Sequence, residues 1–321
     1  MKPLRVLSLF DGISTGQYVL EKLGIPVEVY YASEIEQSTI DITMFHYPKT
    51  VQLGDVTQID FKQFEGKIDL LIGGSPCTSL SITTSKKRTN LDGQSKLFFD
   101  YVRALNDVKP KYFFLENVAS MNNESKQIMS QYMGCNPQFI DSSIFSAQER
   151  KRLYWFNWGK VHKDLVGNKT YSVPVPVERE PLVIKDILEE NPDEKYYYTQ
   201  TFDFHGLDKS VCATLHINGH DILKRVHSPY AKCHTLTCCR GGNLQKKVYD
   251  EKRNQCRKLT PLEYERLQGL PDDYTKYGIG GKLMSDSARY NAVGNGWEAN
   301  TICHLFGGLK EELEHECIEL I

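Results

Sequence analysis

Val6-Leu7-Ser8-Leu9-Phe10-Asp11-Gly12-Ile13-Ser14-Thr15-Gly16 runs from an apolar strand through a glycine-punctuated turn into a helix. A buried strand that turns this tightly into a helix opens a βαβ unit, and the rhythm persists over residues 1–160. The helix from about Ser14 stops at Gly24, a position suited to a C-terminal cap. Val27 to Ser33 reads as a second strand, Thr50 to Leu53 as a short third, and Ile68 to Ile72 as a fourth. Gly73-Gly74-Ser75-Pro76 then turns sharply away. Leu97 to Leu105 has amphipathic helical spacing, and Tyr112-Phe113-Phe114-Leu115 reads as a fifth, fully buried strand. Ser143 to Phe145 and Leu153 to Trp158 are expected as a later strand pair. The predicted fold is α/β, a doubly wound Rossmann-like sheet with its ligands at the carboxyl ends of the strands.

After Gly159 the texture changes. Val173-Pro174-Val175-Pro176-Val177 resists regular structure and reads as a linker. The stretch from there to about Lys258 is rich in Tyr, His, Cys, Gly and basic residues, and predicts a smaller irregular or β-rich domain. Thr260-Pro261 opens a helix, with proline in its first turn, and the chain from about Asn291 is helical and acidic. Three parts are expected: residues 1–160, residues 161–282, and a segment 283–321 that returns to the first.

Composition narrows the class. The 321 residues include 40% hydrophobic, 25% charged and 11% aromatic side chains, enough for a packed core. No apolar run is long enough to span a bilayer, and Asp11 interrupts the only N-terminal apolar stretch, so neither a membrane protein nor a secreted one is expected. Nine cysteines without regular spacing suit reduced thiols in a cytoplasm. The net charge of −2 conceals a division: Lys224 to Lys258 carries 10 Lys and Arg against 2 acids, a local +8. That is either a basic surface for a polyanion or a solvated loop with scattered lysines.

Several strand ends carry chemistry. Glycines in Phe10-Asp11-Gly12-Ile13-Ser14-Thr15-Gly16 let a ligand approach the backbone at a helix N-terminus, although the G-x-G-x-x-G fingerprint is absent. Glu34, 22 residues beyond Gly12, stands where a nucleoside site places a carboxylate on ribose hydroxyls, and Asp55 ends the third strand. Plain turns and surface acids are the alternative; three such ends together favour one adenosine pocket. Cys77, on a Gly/Pro turn past a buried strand, is placed as a nucleophile rather than a packed thiol. Glu116 ends the fifth strand, where a half-buried carboxyl can hold or donate a proton or cap the following turn. Arg150 and Arg152, two apart, share a face if the segment is a strand, which suits phosphate or a polarised carbonyl. His216, His220, Cys233, His234, Cys238 and Cys239 are possible zinc ligands, but no C-x-x-C pair is present and no metal is expected.

In order, Phe10-Asp11-Gly12, Gly73-Gly74-Ser75-Pro76-Cys77, Glu116-Asn117-Val118, Gln148-x-Arg150-x-Arg152, Leu259-Thr260-Pro261-x-Glu263-x-x-Arg266-Leu267-Gln268-Gly269-Leu270-Pro271 and Gly294-Asn295-Gly296 resemble the DNA (cytosine-5) methyltransferases. The resemblance spans all but roughly residues 160–255. Ser75 and Trp297 look closer to the vertebrate de novo branch, while length and context suit a bacterial or phage enzyme.

The resemblance implies a methyltransferase sheet (1–160), a target-recognition domain (161–282) and methyl transfer from S-adenosylmethionine to carbon 5 of a flipped-out cytosine in double-stranded DNA. It implies Cys77 as nucleophile, with Glu116, Arg150 and Arg152 as its catalytic partners. The cofactor would lie against Phe10, Asp11, Gly12, Ile13, Glu34, Ile35, Asp55, Val56, Ser75, Leu97, Asn295 and Trp297. DNA would meet Lys86, Arg240, Gly241, Asn243 and Lys246, with Arg240 and Asn243 reading bases and Lys246 and Lys247 meeting phosphates. Residues 77–95 would form a loop closing over the base. A tRNA cytosine, the substrate of one branch of the family, and a catalytically dead DNA-binding homologue are the alternatives.

Overall fold

The computed structural model describes residues 1–75, 95–177, 180–239 and 243–319. The chain divides into two compact units, residues 1–140, 151–175 and 301–321 in one, residues 141–150 and 176–300 in the other. The second unit thus claims ten residues, 141–150, from inside the predicted first domain, and the chain returns to the first unit at Thr301 rather than at 283.

In the first unit β1 (Leu4–Leu9), α1 (Thr15–Lys22), β2 (Val27–Ser33), α2 (Gln37–His46), β3 (Val51–Gln52), β4 (Leu70–Gly73), α3 (Ser95–Val108), β5 (Tyr112–Val118), α4 (Asn123–Met133) and β6 (Gln138–Asp141) follow one another. After β7 (Gln148–Glu149), a strand of the second unit, come β8 (Lys151–Phe156) and the hairpin β9 (Lys160–Lys163)–β10 (Lys169–Ser172). The sheet order is β3-β2-β1-β4-β5-β8-β6, with β1 to β5 parallel and β8 antiparallel to β5. The order reverses between β1 and β4, the switch point where ligands of such sheets collect.

β1, β4 and β5 are largely apolar because both faces are covered. Leu7, Leu9, Leu71, Phe98, Tyr101, Leu115 and Trp155 form the core on one side. Phe114, Phe156, Trp158 and Phe306 pack on the other, Phe306 edge-on to Phe114 at 5.1 Å between ring centroids. Phe306 belongs to α8 (Ala299–Glu319).

The expected strand at Ser143–Phe145 is instead a short 3-10 turn, Ser142–Ile144, because the Asp141 carboxylate caps it by accepting the Ser143 N–H at 3.1 Å. α2 and α4 were not foreseen. α2 buries Thr39, Ile42 and Thr43, a mixed stripe without apolar periodicity. α4 does carry end signals: the Asn122 side chain accepts the Ser125 N–H, and Gly134 follows at φ 68°.

The second unit is the smaller, β-rich one. Its sheet runs β11 (Phe202–Phe204), β12 (Val211–Leu215), β13 (Arg225–His227), β15 (Lys247–Asp250) and β16 (Gln255–Lys258), and β14 (Cys233–His234) pairs with β7. α5 (Asp221–Lys224) is a single turn. α6 (Pro261–Leu267) opens with a capping box, Thr260 and Glu263 exchanging hydrogen bonds, and α7 (Asp286–Asn295) follows the hairpin β17 (Tyr277–Gly278)–β18 (Lys282–Leu283). Among the described residues no helix is long and apolar enough to cross a membrane.

Candidate active site

In the first unit, the carboxyl ends of β1, β2, β4 and β5 carry Phe10, Asp11, Gly12, Ile13, Glu34, Ile35, Ser75 and Glu116, half of the predicted cofactor and catalytic residues. Phe10 (φ 57°), Gly12 (φ 59°) and Ser14 (φ 54°) all take the left-handed conformation, an arrangement costing of order 1–3 kcal/mol at each non-glycine position. Asp11 lies between them. Its carboxylate accepts the Tyr30 hydroxyl at 2.8 Å and the Ser14 hydroxyl, and burial pushes its pKa up to about 6. Gly12 N–H donates to Glu34 Oε2 at 2.9 Å, and Glu34 Oε1 accepts the N–H groups of Ile35 and Glu36 at 2.8 and 2.9 Å. Glu34 is therefore oriented by three backbone amides, and beside it the Ile35 side chain is 75% exposed, unusual for isoleucine.

Asp55 accepts the Thr57 N–H and hydroxyl, capping a short 3-10 turn. Ile13 and Val56 are buried, so any ligand contact falls to their backbone. Phe10 and Leu97 pack half-buried against the core. Thr15 Oγ1, in the first turn of α1, is buried with no hydrogen-bond partner among the described residues, a position that the sequence does not single out. Its signal was only its place after the glycine turn.

At the end of β5, Glu116 is buried against Arg152: the Arg152 Nε stands 2.7 Å from Glu116 Oε1, an ion pair without hydrogen-bond alignment. The β5–β8 register creates it by setting Val118 opposite Arg152 and Glu116 opposite Tyr154. Asn117 donates from Nδ2 to the Ser75 hydroxyl at 3.1 Å and carbonyl at 3.3 Å, fixing the chain where it leaves β4. Cys77, Lys86, Arg240 and Gly241 lie outside the described residues.

The two arginines do not share a strand face. Arg150 falls in the break between β7 and β8, and its buried guanidinium donates to the carbonyls of Gly296 at 2.8 Å and Leu236 at 3.4 Å within the second unit. There Gln148 Nε2 donates to the Gln268 side chain at 2.9 Å, and Gln268 Nε2 donates to the carbonyls of Val293 and Gly296. Three predicted motifs thus meet in one buried polar network. Asn295 is exposed and Trp297 half-buried beside it.

The basic stretch is only partly surface. Lys247, expected on phosphate, is buried: its ammonium donates to the Asn243 and Gln245 carbonyls at 2.8 and 3.0 Å, and desolvation lowers its pKa to about 8. Arg257 is buried against Glu263 at 2.7 Å. Asn243 and Lys246 are half-buried. His216 meets Asp203 and Thr201, and among the described residues no three His, Cys, Asp or Glu side chains come together as a metal would require.

An α/β sheet with oriented carboxylates and an acid–arginine pair at its carboxyl edge is the layout of a nucleoside-handling enzyme. The family model for C-5 cytosine-specific DNA methylases matches residues 4–311, and the chain belongs to that family. It is thus a DNA cytosine-5 methyltransferase by class. It is similar to the type II methyltransferase M.NgoPII of Neisseria gonorrhoeae, 25% identical over 350 residues and covering 97% of each chain. It is 30% identical over 238 residues to the orphan methyltransferase M.SPRI of Bacillus phage SPR; the match covers 62% of this chain and about half (53%) of that one. Among solved structures the Dnmt2 methyltransferase of S. pombe superposes with a TM-score of 0.67 at 19% identity, covering 97% of this chain and 99% of that one.

Proposed function

We propose that the chain methylates carbon 5 of cytosine in double-stranded DNA, with S-adenosylmethionine as methyl donor and Cys77 as covalent nucleophile. The observation that carries this is the ion pair of the buried Glu116 with the half-buried Arg152 at the end of β5.

The first-unit edge fits the donor. Glu34, held by backbone amides, keeps acceptor capacity for ribose hydroxyls; Ile35 offers an exposed apolar face to a base; Gly12 opens the backbone; and the Thr15 hydroxyl, buried with no partner among the described residues, joins the set. Phe10, Asp11, Ile13, Asp55, Val56, Ser75 and Leu97 complete the donor assignments in the first unit; Asn295 and Trp297, assigned to the donor from the resemblance alone, belong to the second. When bound, the donor supplies an electrophilic methyl group.

Carbon 5 of cytosine is too weak a nucleophile to take that methyl unaided. Addition of the Cys77 thiolate to carbon 6 makes carbon 5 enamine-like. Glu116 gives a proton or hydrogen bond to ring N3 as electrons move there, and Arg152 holds Glu116 and faces the base carbonyl. Loss of the carbon-5 proton and expulsion of Cys77 restore the ring. The base must leave the stack to be reached. Arg150 acts by holding Leu236 and Gly296 in place rather than by touching the base. Arg240, Gly241, Asn243, Lys246 and, in the first domain, Lys86 are assigned to DNA.

An oligonucleotide carrying 5-fluorocytosine tests the covalent step, because fluorine cannot leave carbon 5 as the proton does. A denaturation-resistant adduct that needs both donor and Cys77 is expected. An adduct that survives Cys77→Ala would contradict the assignment.

A further inference from the structure

The Phe10–Ser14 turn is held in a conformation that two of its residues disfavour, and such geometry persists only where the surroundings fix it. Asp11 is the fixing group. Its carboxylate takes hydroxyls from three elements: Ser8 on β1, Tyr30 on β2 at 2.8 Å, and Ser14 at the entry to α1. Its own N–H donates to the Ser33 carbonyl at 3.1 Å, and its carbonyl accepts the Ser14 N–H at 3.2 Å. Ser14 stands where a serine would ordinarily cap α1, yet its hydroxyl makes no capping bond and turns to Asp11 instead. The next residue, Gly12, gives its N–H to Glu34.

We propose that Asp11 is a positioning residue for the methyl donor: its ionised carboxylate fixes the turn that presents Gly12 and Glu34, so donor affinity depends on that charge. This rests on reading the turn as the donor site. A protonated carboxyl gives up one accepting position to its own hydrogen and accepts the other hydroxyls more weakly, without the charge, so its hold on the turn loosens. Burial raises the group into the range where this happens under mild acid, and Glu34, the charged side chain facing it from the end of β2, pushes the same way.

The test is calorimetric titration of S-adenosylmethionine into the purified chain at about pH 7.5 and 5.5. With ionisation near pH 6 and only the ionised form competent, wild-type affinity is expected to fall about fourfold at the lower pH. Asp11→Asn should bind weakly and equally at both, with KM for the donor rising more than kcat falls. Tyr30→Phe, which removes one of the three hydroxyls, should weaken binding at pH 7.5 and remain acid-sensitive. Asp11→Asn with wild-type affinity and an unchanged pH response would overturn the proposal. If that variant fails to fold, Tyr30→Phe with unaltered affinity does so. A wild-type chain that binds no donor at either pH would instead overturn the donor site itself.

Discussion

A β-carbon on Gly294 would stand 2.3 Å from the Thr237 carbonyl oxygen and 2.9 Å from the Cys238 nitrogen, so α7 and the 236–239 segment can approach only across a glycine. Gly294→Ala must push backbone from backbone. A loss of about 1–3 kcal/mol is expected, read as a lower thermal midpoint; an unchanged midpoint would contradict the close approach. Glu116 poses a different question. Glu116→Gln keeps the size of the side chain and removes both the charge beside Arg152 and the exchangeable proton. It should lower kcat by at least about 100-fold with donor affinity retained. Parallel loss of donor binding would take Glu116 out of the chemistry. That Glu116 and Arg152 matter individually was legible from strand-end position. That they pair was not, because the antiparallel β5–β8 register that joins them spans 36 residues of sequence.

At the level of elements, α6 depends on a charge it buries. Glu263 caps the helix through Thr260 and simultaneously takes both arms of Arg257 at 2.8 and 2.7 Å. Arg257→Met leaves that carboxylate buried without its partner, and about 3–5 kcal/mol of unfolding free energy should be lost in urea titration. Lys247 has the opposite signature with pH. Its folded-state pKa, lowered from 10.5 to about 8, means the unfolded chain holds more protons between those values, so stability should rise as pH climbs through that window. In Lys247→Met this rise should vanish; if it persists, another group is responsible.

The strands were the readable elements: β1, β4 and β5 are buried enough to leave largely apolar runs, and β2 has the predicted bounds. α2 escaped because threonines fill two of its three buried positions. The burial of Lys247 and Arg257 escaped because charge counted along a sequence carries no sign of which cations face inward.

For the whole molecule, the charge division still makes a prediction once the buried cations are removed from it. The remaining basic residues of Lys224–Lys258, in a chain of net −2, should bind phosphate, so DNA affinity should fall steeply as salt rises. A flat response would place the DNA surface elsewhere. The order of the motifs was legible from sequence because each sits at a strand or helix end. The interleaving of the two units was not, since the ten residues 141–150 join their unit through β7 pairing with β14, a contact 85 residues away. The central claim is a reaction, and transfer of labelled methyl from S-adenosylmethionine tests it most directly, with duplex DNA and bulk tRNA as acceptors and Cys77→Ala as control. Label in the DNA with wild type and none with Cys77→Ala, which still binds donor, is the expected result. Label confined to tRNA, or equal label from the Cys77→Ala chain, would contradict it.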